Sequence, residues 1–313
     1  MPEMEIRGTL KPDRRNIWAV ILAGGDGTRL RPLTRLIAGD ERPKQFCKLF
    51  RGKTLLDQTR QRVSLAVPPD QTMVVVTQPH EPFYAPLLAD VPANRVVVQP
   101  KNQGAAPAIL YYSSLRLAAT SATASVAFFP SDHYFFDDKK FMAHVKAALD
   151  ASHLCEDMII LLGITPESPE IGYGWIEPAE PVSRCLFAMR RVRRFWEKPS
   201  LSKARRLMAV SSLWNSFVMV GRVRAFLEMI RRATPDLYEG FNTIRSNLNT
   251  AQEERRIRAL YDQLPSVNFS KQVLAARPQD LAVLPVSEVG WSDWGEPNRV
   301  LTTLARLNNE TAA

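Results

Sequence analysis

Ile17–Arg35 reads IWAVILAGGDGTRLRPLTR. The apolar run IWAVILA is a buried strand by composition, and it passes without a break into Gly24-Gly25-Asp26-Gly27-Thr28-Arg29. Three glycines in four positions let backbone N–H groups approach a ligand and curl into an anion-binding nest. The same loop is equally the mark of a tight strand-to-helix turn. The dinucleotide fingerprint fits poorly, because Leu30 stands where its third glycine belongs, and a P-loop is excluded because no Gly-Lys-Ser/Thr follows. What remains is a glycine loop with an arginine just beyond it, suited to a triphosphate.

Outward from this loop, short apolar runs alternate with amphipathic ones. Strands are expected at Trp18–Leu22, Thr72–Thr77, Arg95–Gln99, Ser125–Pro130 and Met158–Ile164, with helices at Lys53–Val67, Glu81–Ala89, Ala106–Thr120 and Lys139–Ser152. Continuous apolar strands separated by helices predict a parallel sheet covered on both faces, the doubly wound α/β class. After Gly163 the rhythm changes to strands at Trp175–Glu177, Leu186–Trp196 and Phe217–Val220. Helices follow between Val223 and Leu264, then a last strand at Leu281–Val286 and a closing helix near Pro297–Leu307. The expected organisation is one domain over 17–313, with a nucleotide-binding half at 17–164 and a second half at 165–313. The polar residues 1–16 should be a loosely held extension. In such a sheet, ligands bind beyond the carboxyl ends of the strands.

The 313 residues are 45% hydrophobic and 23% charged, which excludes wholesale disorder. No stretch offers the ~18 uninterrupted apolar residues of a membrane helix, and no secretory signal is visible. Cys47, Cys155 and Cys185 suggest neither a disulfide framework nor a zinc site. A soluble, reduced, cytoplasmic protein is expected. The formal charge of +9 makes polyanions plausible partners. Its basic runs lie outside any nucleic-acid-binding pattern, so solvated helix faces and strand edges are the reading adopted.

LAGGDGTRLRPLTR followed by RPKQF (Arg42–Phe46) resembles the sugar-1-phosphate nucleotidyltransferases, most of all the mannose-1-phosphate guanylyltransferases. The resemblance continues in the family's order at QPKNQGAAPAI (Gln99–Ile109), FPSDH (Phe129–His133), IGYGWIE (Ile171–Glu177), FWEKP (Phe195–Pro199), WNS (Trp214–Ser216) and GWSDWG (Gly290–Gly295). It implies a Rossmann-like, mostly parallel mixed sheet with a C-terminal helical and strand elaboration. It also implies attack of a sugar-1-phosphate oxygen on the α-phosphorus of a nucleoside triphosphate. That nucleophile is already an anion, so catalysis reduces to alignment and charge neutralisation. The four histidines form no Ser/His/Asp or Cys/His set, in keeping with that chemistry.

By this resemblance Arg29 and Lys44 are the cations for the triphosphate, Lys44 as a mobile point charge, although either alone would read as a surface ion-pair partner. Asp132 and Asp293 match the family's metal-binding aspartates and would hold Mg²⁺ with phosphate oxygens and water; each could instead be a helix or turn cap. The nucleotide would meet Ala23, Gly24, Gly25, Gly27, Thr28, Gln99, Gly104 and Ala106. The sugar phosphate would meet Gly174, Glu197, Lys198 and Asn215, with Glu197-Lys198 otherwise readable as a strand-end ion pair. His133 and Tyr173 are read as structural. Four departures stand out: the inserted LIAGDER (36–42), expected to make a mobile lid; QGAAPAI in place of the usual Asn-Thr before Ala-Pro; Phe217 where glycine is usual; and a Val267–Leu274 segment without the family's acidic residues.

The expected product is a nucleotide sugar, GDP-mannose from GTP and mannose-1-phosphate. The alternatives are a thymidylyl- or uridylyltransferase using another hexose-1-phosphate, or a non-catalytic subunit that senses nucleotide sugars. No nucleic-acid or membrane partner is expected, and a homodimer is left open. The chain ends soon after GWSDWG, so neither a cupin isomerase nor a β-helical acyltransferase domain is expected.

Overall fold

β1 (Ile17–Leu22) lies at the centre of a parallel quartet. It pairs with β2 (Thr72–Thr77) on one side and β4 (Ser125–Pro130) on the other, while β3 (Val96–Gln99) forms the edge beyond β2. The computed structural model describes residues 16–49, 52–121, 123–183 and 188–311. Of the extension expected to be loose, residues 1–15 lie outside these, as do Cys185 and the start of the strand expected from Leu186. Asn16 is held, its amide donating to Thr123 Oγ1 at 2.8 Å.

The complete sheet has nine strands in the order β3-β2-β1-β4-β8-β5-β9-β7-β6. The remaining strands are β5 (Ile159–Ile164), β6 (Gly174–Pro181), β7 (Arg190–Glu197), β8 (Leu213–Arg222) and β9 (Leu281–Val286). β5 and β9 are parallel, but β8 runs antiparallel between β4 and β5, and the β6–β7 hairpin is antiparallel throughout. Antiparallel β8 brings its N-terminal end to the edge where β4 finishes. Asn215 therefore reaches the ligand-binding edge from the start of a strand rather than from an end, and Gly174 likewise opens β6.

The apolar runs are continuous because both faces are covered. Along β1, Ala19 and Ile21 join one core and Val20 the other; along β4, Ala127 and Phe129 alternate with Val126 and Phe128 in the same way. The first face is covered by α2 (Leu55–Ser64) and α4 (Asp138–Ala151). The second is covered by α3 (105–120), α6 (Val223–Ala233), α7 (Pro235–Asn242) and α8 (Glu253–Gln263). Thr54 starts α2 with a reciprocal capping box to Asp57, and Asp137 caps α4. The helix expected over Glu81–Ala89 stops at Tyr84, because Pro86 has no N–H with which to continue it. α3 is wound as a π-helix over Ala108–Leu115.

The inserted 36–42 segment, expected as a mobile lid, has a defined local structure. It finishes α1 (Arg31–Ala38), turns at Gly39, and is braced by Arg42 on Asp40 at 2.7 Å and Arg35 on Glu41. α5 (Leu201–Ala209) lies against β6. A third, smaller core joins Leu30, Cys47 and Leu55 to Tyr134, Trp294 and Val300 of α9 (Pro297–Thr311), tying the glycine loop to the end of the chain.

Candidate active site

β1 and β4 end side by side, with Leu22 opposite Pro130, and Ser131 N–H donates to Leu22 C=O at 3.1 Å. The glycine loop and Asp132 therefore leave the sheet together. The loop after β9 is brought to the same place by a two-residue antiparallel bridge. Tyr134 N–H donates to Ser292 C=O at 2.9 Å, Ser292 N–H returns to Tyr134 C=O at 3.0 Å, and Tyr134 stacks on Trp294. Asp132 and Asp293 flank that bridge.

Between these loops, the turn at Asn102–Ala105 and the β6–β7 hairpin lies a cleft of about 340 Å³. Its walls include Gly24, Gly25, Arg29, Gln99, Gly104, Asp132, Gly174, Glu197, Lys198, Asn215 and Asp293. The sequence-predicted residues thus meet from both halves of the chain. Five do not line it. Ala23 and Ala106 are buried in the two sheet cores, Gly27 turns the loop at φ 57° against Pro43, and Thr28 opens the following helical turn.

Lys44 is the fifth, and its expected role needs correction. It is 6% exposed, and its ammonium donates to the carbonyls of Asp293 at 2.5 Å and Trp294 at 2.8 Å while pairing with Asp132 Oδ2 at 3.2 Å. All three donor directions are committed, so Lys44 is a fixed strut under the aspartates rather than a mobile charge. Arg29 and Lys198 contrast with it. Both are exposed in the cleft wall, and neither makes an ion pair among the described residues.

Burial opposes the charge on Asp132, yet Lys44 and His133 outweigh it and hold the carboxyl below its usual range. His133 is a cleft residue that sequence reasoning set aside. Burial lowers its pKa against the pull of Asp132, and Trp291 donates to its Nδ1 at 3.3 Å, which leaves the proton on Nε2, 3.8 Å from Asp132. Asp293 is anchored through Oδ1, which accepts from Gly295 N–H at 2.8 Å and Arg299 at 2.9 Å.

On the opposite wall Gly174 pairs with Glu197 across the hairpin. A Cβ at Gly174 would lie 2.8 Å from the Phe195 ring and 3.2 Å from Glu197 Oε2, so glycine is needed for space. Burial raises the Glu197 carboxyl above its usual range, opposed by Lys198, Lys271 and a Ser270 hydrogen bond. Asn215 Oδ1 accepts from Phe217 N–H at 3.1 Å, which leaves its NH₂ as the group to present. Phe217 has φ 58°, in the left-handed region that favours glycine, and its ring rests on Phe269.

Other residues that sequence reasoning missed are legible only in part. Gln45, inside the quoted RPKQF, donates to the carbonyls of Ala23 at 3.1 Å and Gly25 at 2.7 Å and props the glycine loop from below. Tyr173 does pack, against Trp214 and Trp291, but it also lines the cleft. Ser270 and Trp291 line it too, Trp291 inside the quoted GWSDWG and Ser270 inside the divergent Val267–Leu274 segment.

The chain is 29% identical over 290 residues to the xanthan biosynthesis protein XanB of Xanthomonas campestris pv. campestris, which covers 91% of this chain and 59% of that protein. It is 27% identical over 282 residues to the mannose-1-phosphate guanylyltransferase of Escherichia coli, covering 88% of this chain and 59% of that protein. The chain thus spans about three-fifths of the length of these curated relatives. Among solved structures it is similar to one from Thermus thermophilus described as a mannose-1-phosphate geranyltransferase. The TM-score is 0.76 at 28% identity, covering 90% of this chain and 76% of that one. The family model for nucleotidyl transferases matches residues 18–310, and the chain belongs to that family.

Proposed function

We propose that the protein is a sugar-1-phosphate nucleotidyltransferase, and that it makes GDP-mannose and pyrophosphate from GTP and mannose-1-phosphate. One observation carries the reading. A single cleft has the glycine loop, Arg29 and Gln99 on one wall, Glu197, Lys198 and Asn215 on the other, and two aspartates between them. The names of the relatives supply the finer choice of base and sugar.

The chemistry follows from charge. The sugar-phosphate oxygen is an anion at neutral pH, so it needs no general base, and His133 is not asked to act as one. Arg29 and Lys198, the uncommitted cations of the cleft, sit near the two loops assigned to the two substrates. They offset the repulsion as two polyanions approach.

The aspartate pair fits Mg²⁺, an ion that takes one or two carboxylates and completes its shell with phosphate oxygens and water. When bound, Mg²⁺ would neutralise charge on the phosphates. Lys44 and Arg299 hold the two aspartates in place for it.

A pyrophosphate-release screen of nucleoside triphosphates against hexose-1-phosphates tests the reading. GTP with mannose-1-phosphate should give the highest kcat/KM, and a chelator should stop release. Asp132→Asn and Asp293→Asn should each cut turnover by 10²-fold or more, on the order of 3 kcal/mol. Release with another pair only would move the substrate assignment, and no release with any pair would end it.

A further inference from the structure

We infer that His80 is a positioning residue for the nucleotide: from outside the cleft, its imidazole holds Asp26, and through Asp26 it keeps the glycine loop and the turn at Gly104 in one fixed relation. The inference goes beyond the proposed function. It rests on the reading that the nucleotide lays its phosphates against the glycine loop and its base against the turn at Gly104.

A series of polar contacts joins the two loops. Gly104 N–H donates to Asn102 Oδ1 at 2.9 Å, and the Asn102 NH₂ donates to Asp26 Oδ2, also at 2.9 Å. The other carboxylate oxygen, Oδ1, faces His80 Nε2 at 3.2 Å. His80 Nδ1 lies 3.1 Å from Thr77 Oγ1, and that hydroxyl is 2.8 Å from Gly24 C=O. The series thus leaves the cleft wall at Gly104 and returns to it at Gly24. Two of its links have only one sense. A backbone N–H must donate, which fixes the Asn102 amide with its NH₂ on Asp26, and a carboxylate must accept, which places a proton on His80 Nε2. The Thr77 hydroxyl can turn to Nδ1 or to Gly24 C=O without disturbing either link.

His80 is well placed to anchor the series. It is 7% exposed, ends the turn Gln78–His80 that follows β2, and meets the Phe46 ring edge-on at 5.9 Å. Asp26 differs from it. Its side chain is 43% exposed and does not line the cleft. In a loop that receives a triphosphate, a carboxylate free to rotate would bring a like charge toward the phosphates. Here both of its oxygens are engaged by donors on two different segments, and it serves as a tie between them. The glycines around it give the loop little shape of its own, so the shape is set by such ties.

The test compares wild type, His80→Phe, His80→Gln, Asp26→Ala and the double variant His80→Phe/Asp26→Ala. The KM for each substrate is read from pyrophosphate release and nucleotide affinity from titration calorimetry. His80→Phe keeps a ring against Phe46 but loses both nitrogens. It should raise the KM for nucleotide about tenfold and change the KM for sugar phosphate by less than about twofold. His80→Gln returns a donor near the position of Nε2 and should recover most of the loss. Asp26→Ala separates two roles by sign. Loss of a mere like charge near the triphosphate would lower the KM for nucleotide, whereas loss of the tie should raise it about tenfold. The double variant should be no worse than the worse single one, since either change breaks the same series. A rise of both KM values together, independent effects of the two substitutions, or a lower nucleotide KM in Asp26→Ala would overturn the inference and leave the proposed function intact. If His80→Phe fails to fold, the half-exposed Asp26→Ala decides. If no substrate pair turns over, the proposed function falls, and the calorimetric nucleotide affinities decide the inference by the same ratios. Wild type that binds no nucleotide would overturn both.

Discussion

Lys44 shows what a single residue's sequence context does and does not reveal. Arg29 and Lys44 look alike in sequence, each a cation in a motif loop, but one is exposed and unpaired among the described residues while the other is sealed beneath Asp132. The difference is made by two carbonyls about 250 positions away. No local pattern records them. A structural strut predicts a different mutant from a mobile charge. Lys44→Met should lose stability and turnover together, because it leaves two carbonyls and a partly buried carboxylate without their donor. The expected cost is about 2–3 kcal/mol. Thermal melting with parallel kinetics would check this, and a variant of unchanged melting temperature would return Lys44 to the role of a phosphate ligand.

At the scale of elements, the strands and their faces were legible, because continuous apolar runs of the right length admit few other readings. Thr72–Thr77, Ser125–Pro130 and Leu281–Val286 have the expected bounds. The apolar pattern places β8 only at Phe217–Val220, because Asn215 and Ser216 interrupt it, whereas the strand runs over Leu213–Arg222. The polar pair that hid the strand is what lets it serve the cleft. The motif marks the turn at Gly104, but no local pattern records its dependence on Val267. At φ 87° Gly104 is in a conformation that side chains resist, and a Cβ would come within 2.3 Å of Val267 C=O. Gly104→Ala should therefore push the turn off the 267–274 segment. The expected result is a KM for the nucleotide raised about tenfold or more, with the KM for sugar phosphate nearly unchanged. A variant in which both constants rise equally would mean that the turn supports the whole cleft rather than its base end.

For the molecule as a whole, the order of motifs along the chain is legible, while the geometry that closes them around one cleft depends on contacts between distant segments. α9 supplies one set of these. Arg299 donates to Asp293 at 2.9 Å and to Glu170 at 2.8 Å, with its guanidinium 4.3 Å from the Tyr173 ring. One side chain thus joins the connection between β5 and β6 to the segment after β9, and it fixes one oxygen of an aspartate assigned to the metal. Its planar fork can serve two carboxylates at once, and a lysine cannot reproduce that. Arg299→Lys should lose one of the two contacts and Arg299→Gln should lose both charged pairs, costing about 2–3 kcal/mol for the second variant. Arg224, half-exposed on Glu156, gives the control, since Arg224→Gln should change stability by no more than about 0.5 kcal/mol. Melting temperature alone would not separate a brace from a positioning group. The deciding readout is Mg²⁺ titrated by calorimetry in the presence of nucleotide. Arg299→Gln should need a higher Mg²⁺ concentration for half-saturation than wild type, because Asp293 is free to rotate away from the cleft. A variant that melts earlier but binds Mg²⁺ as wild type does would confine Arg299 to holding the fold.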